Sequence, residues 1–451
     1  MVQKLKNNQK KNLFIKTFGC QMNEYDSERI EDILSNSGFE RKNNMDNADC
    51  IVINTCHIRE KSTDKIYHDV GRIKKKFRNK KKPLVIISGC VAQAEGEIIL
   101  KKEKFVDAVI GPQSYHQINQ LVSTLERKSK FRNLTEFQTI KKFDEIKVNR
   151  KFKNKISSFI TIQEGCDKFC KFCVVPYTRG PEFSRNFNDI IEEANNLVNS
   201  GSREITLLGQ NVNAYRSGEK KLSDLIIELE KIDRLKRIRY TTSHPNDMTY
   251  DLIEVHKTSK KLMPLLHLPV QSGSSRILKE MNRNHSIADY LKVVNRLKKA
   301  KPNIKFSSDF IIGYPSESDY DFEATINLLS EVKFINTYSY LFSPRPGTPA
   351  AHKKNCDILL RKKRLIKFQS LSDNIKLDYK KELQGKIVNV LFENESNKPN
   401  LYFGRDEYNN SVLVRCEKNI VGEEKKVKIF DYNLQNLFGS ILNNEEKPFA
   451  A

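Results

Sequence analysis

Three short apolar runs near the start of the chain each lead into a cysteine, and each is followed by a helix-like stretch. Leu13 to Phe18 runs into Gly19-Cys20, Ile51 to Thr55 into Cys56, and Leu84 to Ser88 into Gly89-Cys90; the helix-like stretches are 27–36, 61–77 and 93–100. Short β-branched runs alternating with helices are the pattern of a parallel sheet. Such a sheet presents its ligand site at the carboxyl ends of its strands. Cys20, Cys56 and Cys90 are 36 and 34 residues apart in sequence, yet all three fall at that edge, where neighbouring strands can bring them to one metal cluster. The competing reading is a set of ordinary small residues at strand ends. Cys50 begins its strand instead of ending it, so it belongs to the opposite edge and to the core. A fourth strand, 105–110, and a helix, 114–125, complete this domain.

A denser set follows. Cys166, Cys170 and Cys173 fall within eight residues, just after a strand-like run from Ser158 to Ile162. A helix or strand would project these side chains in divergent directions, whereas a loop can turn all three inward. Closely spaced cysteines are the sequence mark of iron–sulfur clusters. With three local thiolates, one iron of a cubane has no protein ligand and can take a small molecule. Zinc is the competing reading, but structural zinc normally has four ligands in two spaced pairs, and no fourth Cys or His lies nearby. The spacing, three residues and then two, with Phe172 just before the last cysteine, resembles the signature of the radical S-adenosylmethionine enzymes. That resemblance implies that S-adenosylmethionine binds the open iron and is cleaved to a 5′-deoxyadenosyl radical.

From Ser157 strands and helices alternate again, with strands near 158–162, 204–208, 237–242, 265–270, 305–312 and 337–342. Six such units are too few for the closed eight-fold barrel, so an open, partial (βα)6 barrel is expected, with its site on the carboxyl face of the strands. The loops there hold Gly209-Gln210-Asn211, Ser243-His244-Pro245, Gln271-Ser272-Gly273-Ser274 and Gly313-Tyr314-Pro315; Asp309 lies within the fifth strand and Arg283 follows the helix after the fourth. A zwitterionic, ribose-bearing cofactor needs a guanidinium for its carboxylate, acceptors for its hydroxyls and close backbone approach at glycine. Gln271, Arg283 and Asp309 fit those roles and resemble S-adenosylmethionine-binding positions of related enzymes; Phe172, Gln210 and Ser243 join them as candidates. Loop capping and surface ion pairing are the alternative for each. His244 and His267 read as loop or core residues.

After Lys380 about five short strand-like pieces suggest a small β-barrel of the kind that binds oligonucleotides. The α/β fold therefore divides into an N-terminal parallel-sheet domain (11–127), a basic linker (128–155), the partial barrel (156–381) and the terminal β-barrel (382–446). Residues 382–447 carry nine Lys or Arg against eleven acids, so phosphate attraction is not the terminal barrel's main contribution. Stacking from Phe392, Tyr402, Phe403 or Tyr408 is one alternative, and their use as barrel core is the other. The formal net charge of +23 is concentrated elsewhere, at 72–82, in the linker and at 353–367. Runs of this kind suit a polyanionic partner, although a chain rich in Lys, Asn and Ile also has the composition of an AT-rich genome. Nine cysteines without a secretory leader or an apolar run of membrane-spanning length point to a reducing, cytoplasmic setting and metal work rather than disulfides.

Taken together, Thr17 to Asn23, Asn54-Thr55-Cys56, Gly89 to Gln93, the three-cysteine loop and the terminal barrel resemble the methylthiotransferases, from about Leu13 to Leu442. Cys56 to Lys61, Val174 to Gly180 and Gly404 to Asn409 look most like the tRNA-2-methylthio-N(6)-dimethylallyladenosine synthases and their terminal TRAM module. The resemblance implies two 4Fe-4S clusters, one on Cys166, Cys170 and Cys173 and an auxiliary one on Cys20, Cys56 and Cys90 that carries or donates sulfur. S-Adenosylmethionine would supply both radical and methyl group, and the substrate would be tRNA carrying a prenylated adenosine. An electron donor such as a flavodoxin or ferredoxin and a monomeric state are further expectations. Sibling enzymes acting on threonylcarbamoyl-adenosine or on a ribosomal protein aspartate remain as rivals, and so does a non-enzymatic iron–sulfur RNA-binding redox sensor.

Overall fold

The computed structural model describes residues 10–56, 62–127, 132–137, 142–143, 155–354 and 356–442. These divide into two compact units, one of residues 1–151, 164–167 and 173–185, the other of residues 152–163, 168–172 and 186–451.

In the first unit β1 (Lys11–Thr17), β2 (Phe39–Arg41), β3 (Cys50–Thr55), β4 (Leu84–Gly89), β5 (Ala108–Ile110) and β6 (Asn133–Leu134) pair in the order β2-β1-β3-β4-β5-β6, every pair parallel. Between them run α1 (Gln21–Ser35), α2 (Ser62–Lys76), α3 (Cys90–Lys102) and α4 (Ile118–Glu126), and a short α5 (Val175–Arg179) belongs to the same unit. β3 is buried along its whole length because each face of the sheet has its own core. Alternate residues serve the two faces: Leu13, Ile15, Cys50 and Val52 join Ile30, Ile33 and Leu121 on one, while Ile51, Ile53, Val85 and Ile87 join Ile66, Val70 and Val91 on the other.

Two details differ from the sequence reading. α1 and α3 begin directly at the cysteine edge, at Gln21 and Cys90, several residues earlier than the periodicity suggested. The connector is also not simply a solvated linker. Asn133–Leu134 is a sheet strand, and the Lys142 side chain is fully buried.

The second unit holds six parallel strands in chain order, β7 (Ser157–Thr161), β8 (Glu204–Leu208) and β9 (Arg237–Tyr240) in one sheet, β10 (Leu265–His267), β11 (Lys305–Ile312) and β12 (Asn336–Leu341) in the next. Around them lie α6 (Phe187–Asn199), α7 (Leu222–Glu230), α8 (Tyr250–Thr258), α9 (Ser275–Glu280), α10 (Ile287–Ala300), α11 (Asp319–Val332) and α12 (Ile358–Leu383). One continuous apolar core joins strands and helices, as a partial barrel requires. Among the described residues no helix is long and apolar enough to cross a membrane.

The same unit ends in a closed barrel, β13 (Ile387–Glu395), β14 (Leu401–Arg405), β15 (Ser411–Arg415), β16 (Glu424–Tyr432) and β17 (Asn436–Ile441), in the order β13-β14-β15-β17-β16. Phe392 and Tyr402 are buried in its core with Val390, Val412, Val427 and Leu437, so they are not a stacking surface. The Tyr408 hydroxyl donates to Asn303 O (3.0 Å), which ties that residue to the neighbouring helical layer. The large exposed aromatic of this barrel is Phe430, 59% accessible, which the sequence reading did not single out.

The barrel is fastened at the amino ends of the β8 and β9 strands. Arg237 donates to Glu424 Oε1 (2.8 Å), Arg405 O (2.7 Å) and Asn389 O (2.9 Å). Arg239 donates to Glu204 Oε2, Glu407 O and Asp406 O at 2.9–3.0 Å. The opposite, carboxyl face of those strands is thereby left for the site.

Candidate functional site

In the first unit, β1, β3 and β4 are adjacent, and Cys20, Cys56 and Cys90 follow their carboxyl ends. Glycine sets the approach. Gly19 has φ +123°, and a Cβ there would stand 2.3 Å from Cys56 Cβ, so Cys56 packs directly on the backbone that carries Cys20. Gly89, φ +91°, lets the chain turn from β4 into α3 where a side chain would meet Thr55 O at 2.2 Å. A buried amide network then locks α1 to β3. Asn23 Nδ2 donates to Asn54 Oδ1 (3.1 Å) and Thr55 O (2.9 Å), and Asn54 Nδ2 donates to Asn23 O and Ser27 Oγ (both 2.9 Å).

The three thiols are electrostatically unlike. A hydrogen bond with Cys56, opposed by burial and helped by the Arg179 charge, lowers Cys20 to about 6. Burial raises Cys90, with Arg179 partly offsetting it. Cys50, fully buried at the far end of β3, is pushed up to about 12 by burial. Among the described residues no group of three His, Cys, Asp or Glu side chains is gathered tightly enough for a single metal ion. A multi-iron cluster spaces its thiolates more widely than one ion does, and cysteine thiolates are its usual ligands.

The segment around Cys166 is held within the first unit. Cys166 N donates to Gly180 O (3.3 Å), and Gly165 (φ +76°) sits where a Cβ would be 1.8 Å from Pro181 O. Cys170 is held within the second. Lys171 N donates to Met281 O (2.9 Å), Ala350 N to Lys171 O (2.9 Å), and Asn282 Nδ2 to Phe169 O (3.0 Å). Phe169 has φ +46°, uncommon for a residue with a side chain, and these bonds hold it there.

Among the candidate residues of the second unit, Arg283 stands beside Cys170. Arg283 Nη1 lies 3.9 Å from Cys170 Sγ and Nη2 donates to Pro269 O (2.6 Å). Lys168 Nζ and Asn211 Nδ2 both donate to Asp247, at 2.8 and 2.7 Å. Gln163 Oε1 accepts from the backbone N of Gln210 (2.9 Å) and Asn211 (3.0 Å), which fixes the loop after β8. Phe172 packs beside Ile277, Met281, Tyr314 and Phe342. Gln271 has φ +77° and bridges to β11, its N donating to Asp309 O (3.0 Å). Asp309 Oδ2 is 3.4 Å from His267 Nε2, which places its carboxylate beside β10. His244 is held neutral, lowered to about 2 by burial and then by the Arg283 charge.

Residues 12–111 match the family described as uncharacterized protein family UPF0004, residues 160–329 the radical SAM superfamily and residues 381–442 the TRAM domain. A tRNA-2-methylthio-N(6)-dimethylallyladenosine synthase of Pelagibacter ubique is 53% identical, covering 98% of this chain and 100% of the relative. The chain belongs to that synthase family. The enzyme of the same name from Rickettsia akari is 46% identical over 96% of this chain and 100% of its own. Among solved structures, the radical S-adenosylmethionine methyltransferase TsrM of Kitasatospora setae shares the fold, with TM-score 0.59 and 11% identity over 76% of this chain and 74% of that one.

A synthase of this family is an enzyme, and its barrel holds buried polar atoms without a protein hydrogen-bond partner. Ser243 Oγ, Asn211 Oδ1 and Arg283 Nε are buried and lack hydrogen-bond partners. Buried polar groups are mostly paired, so the unpaired atoms of Asn211 and Ser243, in the loops after β8 and β9, and of Arg283 beside Cys170 fit a polar, zwitterionic cofactor. Sequence reasoning missed Asn211, Asp247 and Lys168 as a linked set. The first is the neighbour of Gln210, and only the fold brings the other two to it.

Proposed function

We propose that this chain converts N(6)-dimethylallyladenosine beside the anticodon of tRNA to its 2-methylthio derivative. The observation that carries the reading is the pairing, in one chain, of two three-cysteine sets. One follows the ends of three adjacent parallel strands, and the other lies in one loop whose Cys170 stands 3.9 Å from Arg283. In this reading Cys166, Cys170 and Cys173 hold one 4Fe-4S cluster, and Cys20, Cys56 and Cys90 hold a second, sulfur-carrying one. S-Adenosylmethionine, when bound, supplies the methyl group and the radical that activates an otherwise inert carbon–hydrogen bond.

The chain's own residues bind and orient. Arg283 and Ser243 take the carboxylate and amino end of S-adenosylmethionine, Asn211 and the Gln210 loop approach its sugar and base, and Gln271 and Asp309 border the lumen. The TRAM barrel and the basic runs hold the tRNA; a flavodoxin or ferredoxin supplies electrons to a cytoplasmic monomer. His57 to Lys61, which carry part of the likeness to this synthase, lie outside the described residues.

The test is anaerobic reconstitution with iron, sulfide, reductant and S-adenosylmethionine, followed by mass analysis of nucleosides from prenylated tRNA. A methylthio gain together with 5′-deoxyadenosine is expected. 5′-Deoxyadenosine without modified nucleoside would refute the substrate, and neither product despite full iron loading would refute the reaction.

A further inference from the structure

Near Cys20 and Cys90 the first unit buries a cluster of four charges. Arg179, at the end of α5, donates through Nη2 to Asp26 Oδ2 (2.7 Å), and its Nη1 stands 3.6 Å from Glu164 Oε1. Lys142 Nζ bonds Glu164 Oε1 and lies 3.9 Å from Asp26 Oδ1. Gln113 Nε2 fixes Glu164 Oε2 (2.6 Å) and Arg179 O (2.9 Å). All five residues are at most 2% exposed. Asp26 rides on the helix that Cys20 leads into, and α5 packs on the helix that Cys90 begins.

Burying two cations and two anions is not a route to stability, since an apolar filling of the same volume is usually as good or better. The set is neutral by itself, and Arg179 interacts with two of the edge thiols, Cys20 and Cys90. Thiolates around an iron–sulfur core, with a sulfur anion added, form a concentrated negative charge, buried at Cys56 and Cys90 and open to solvent at Cys20, that a fixed cation stabilises. Arg179 supplies that cation. A guanidinium keeps its proton in proteins, Nη1 stands 3.6 Å from Glu164 Oε1, too far for a hydrogen bond to it, and the guanidinium interacts with the Cys90 thiol directly and with Cys20 through its charge.

We propose that Arg179 is a positioning residue of the auxiliary site: anchored by Asp26 and Glu164, its guanidinium stabilises the sulfur anion, hydrosulfide or methanethiolate, that the cysteine-held cluster carries, and sets the cluster's reduction potential. This rests on the reading that Cys20, Cys56 and Cys90 hold a cluster. Binding and electron affinity are the whole of it; no bond is made or broken by Arg179.

The test uses the full chain with Cys166→Ala, Cys170→Ala and Cys173→Ala, so that only the auxiliary site assembles iron. Iron content, the midpoint potential followed by electron paramagnetic resonance, and methanethiolate binding are measured with Arg179, Arg179→Lys and Arg179→Met. Arg179→Met is expected to load iron, to weaken methanethiolate binding at least tenfold and to shift the reduced-to-oxidised ratio at fixed potential tenfold or more, about 59 mV toward negative values for one electron. Arg179→Lys should recover much of the potential, which follows charge, and less of the binding, which follows the planar fork. Asp26→Asn should move the potential the other way, since it removes an anion and leaves the guanidinium. A structural role would not give opposite signs. Arg179→Met combined with Asp26→Asn keeps the interior neutral, guards against misfolding, and should still lose the binding. Equal potential and equal binding in iron-loaded Arg179 and Arg179→Met protein would overturn the proposal. Absence of iron from the Arg179 parent would overturn the cluster reading beneath it.

Discussion

Replacing Arg237 with methionine removes the guanidinium that fastens the TRAM barrel to the start of β9. Arg237 is 1% exposed, and its hydrogen bonds reach one carboxylate and two backbone carbonyls of the barrel. Methionine fills much the same volume, so the loss is chiefly that of the bonds. Breaking a buried ion pair by deleting one partner costs about 3–5 kcal/mol because the other is left unpaired. Glu424 keeps 35% of its side chain exposed and can turn to water, which holds the cost near the lower end. About 3 kcal/mol corresponds to roughly a hundredfold larger population of the undocked state. Hydrogen exchange of β13 and β16 amides reads that population directly, and protection there should fall by this factor while β11 amides are unchanged. Glu424→Gln, which retains an acceptor for Arg237, should lose far less. If Arg237→Met left β13 and β16 protection within twofold of the parent, the guanidinium would not be what fastens the barrel.

Other perturbations test separate parts of the fold. Gly89→Ala places a methyl group 2.2 Å from Thr55 O on a backbone with φ +91°; strain of about 1–3 kcal/mol, added to the clash, should strip iron from the auxiliary site, read as reduced iron per chain. His256 is held neutral, lowered to about 3 by burial, with its ring 2.6 Å from the Tyr240 hydroxyl. Its folded pKa lies below the unfolded one, so the unfolded chain binds the extra proton and stability falls as pH drops from about 6.5 toward about 3, by about 2 kcal/mol at pH 5. His256→Gln should flatten that slope in urea midpoints measured against pH. Phe430→Ala removes the barrel's exposed aromatic and should weaken tRNA binding by about 1–3 kcal/mol if a base stacks there, measured at constant salt; unchanged affinity would assign RNA contact to the basic runs.

The reach of the sequence follows from which constraints are local. Strand runs ending at Cys20, Cys56 and Cys90 were legible because alternation and β-branching act within a few residues, and the structure puts those strands side by side. The Cys50 assignment held for the same reason, since its place at the start of a strand sends it to the other edge and into the core. Residues whose role depends on distant partners were legible only in part. Arg283 was chosen for its charge, but its approach to Cys170 and Pro269 is a matter of folding. Phe392 and Tyr402 looked equally suited to stacking or to core, and barrel closure decided for core.

The sequence by itself determined the main strand–helix alternation, the cysteine spacings and the family likeness, because periodicity and motif spacing are properties of neighbouring residues; the short strands β2 and β6 were not legible in it. Only the tertiary structure decided that Lys142, taken from a run that reads as a basic linker, is buried against Glu164 and Asp26. It alone brought Arg179 to Asp26 across 153 residues, and Arg237 to Glu424 across 187. The physical reason is that buried charge is tolerable only where an opposite charge meets it, and which residues meet is fixed by the packing of the whole chain.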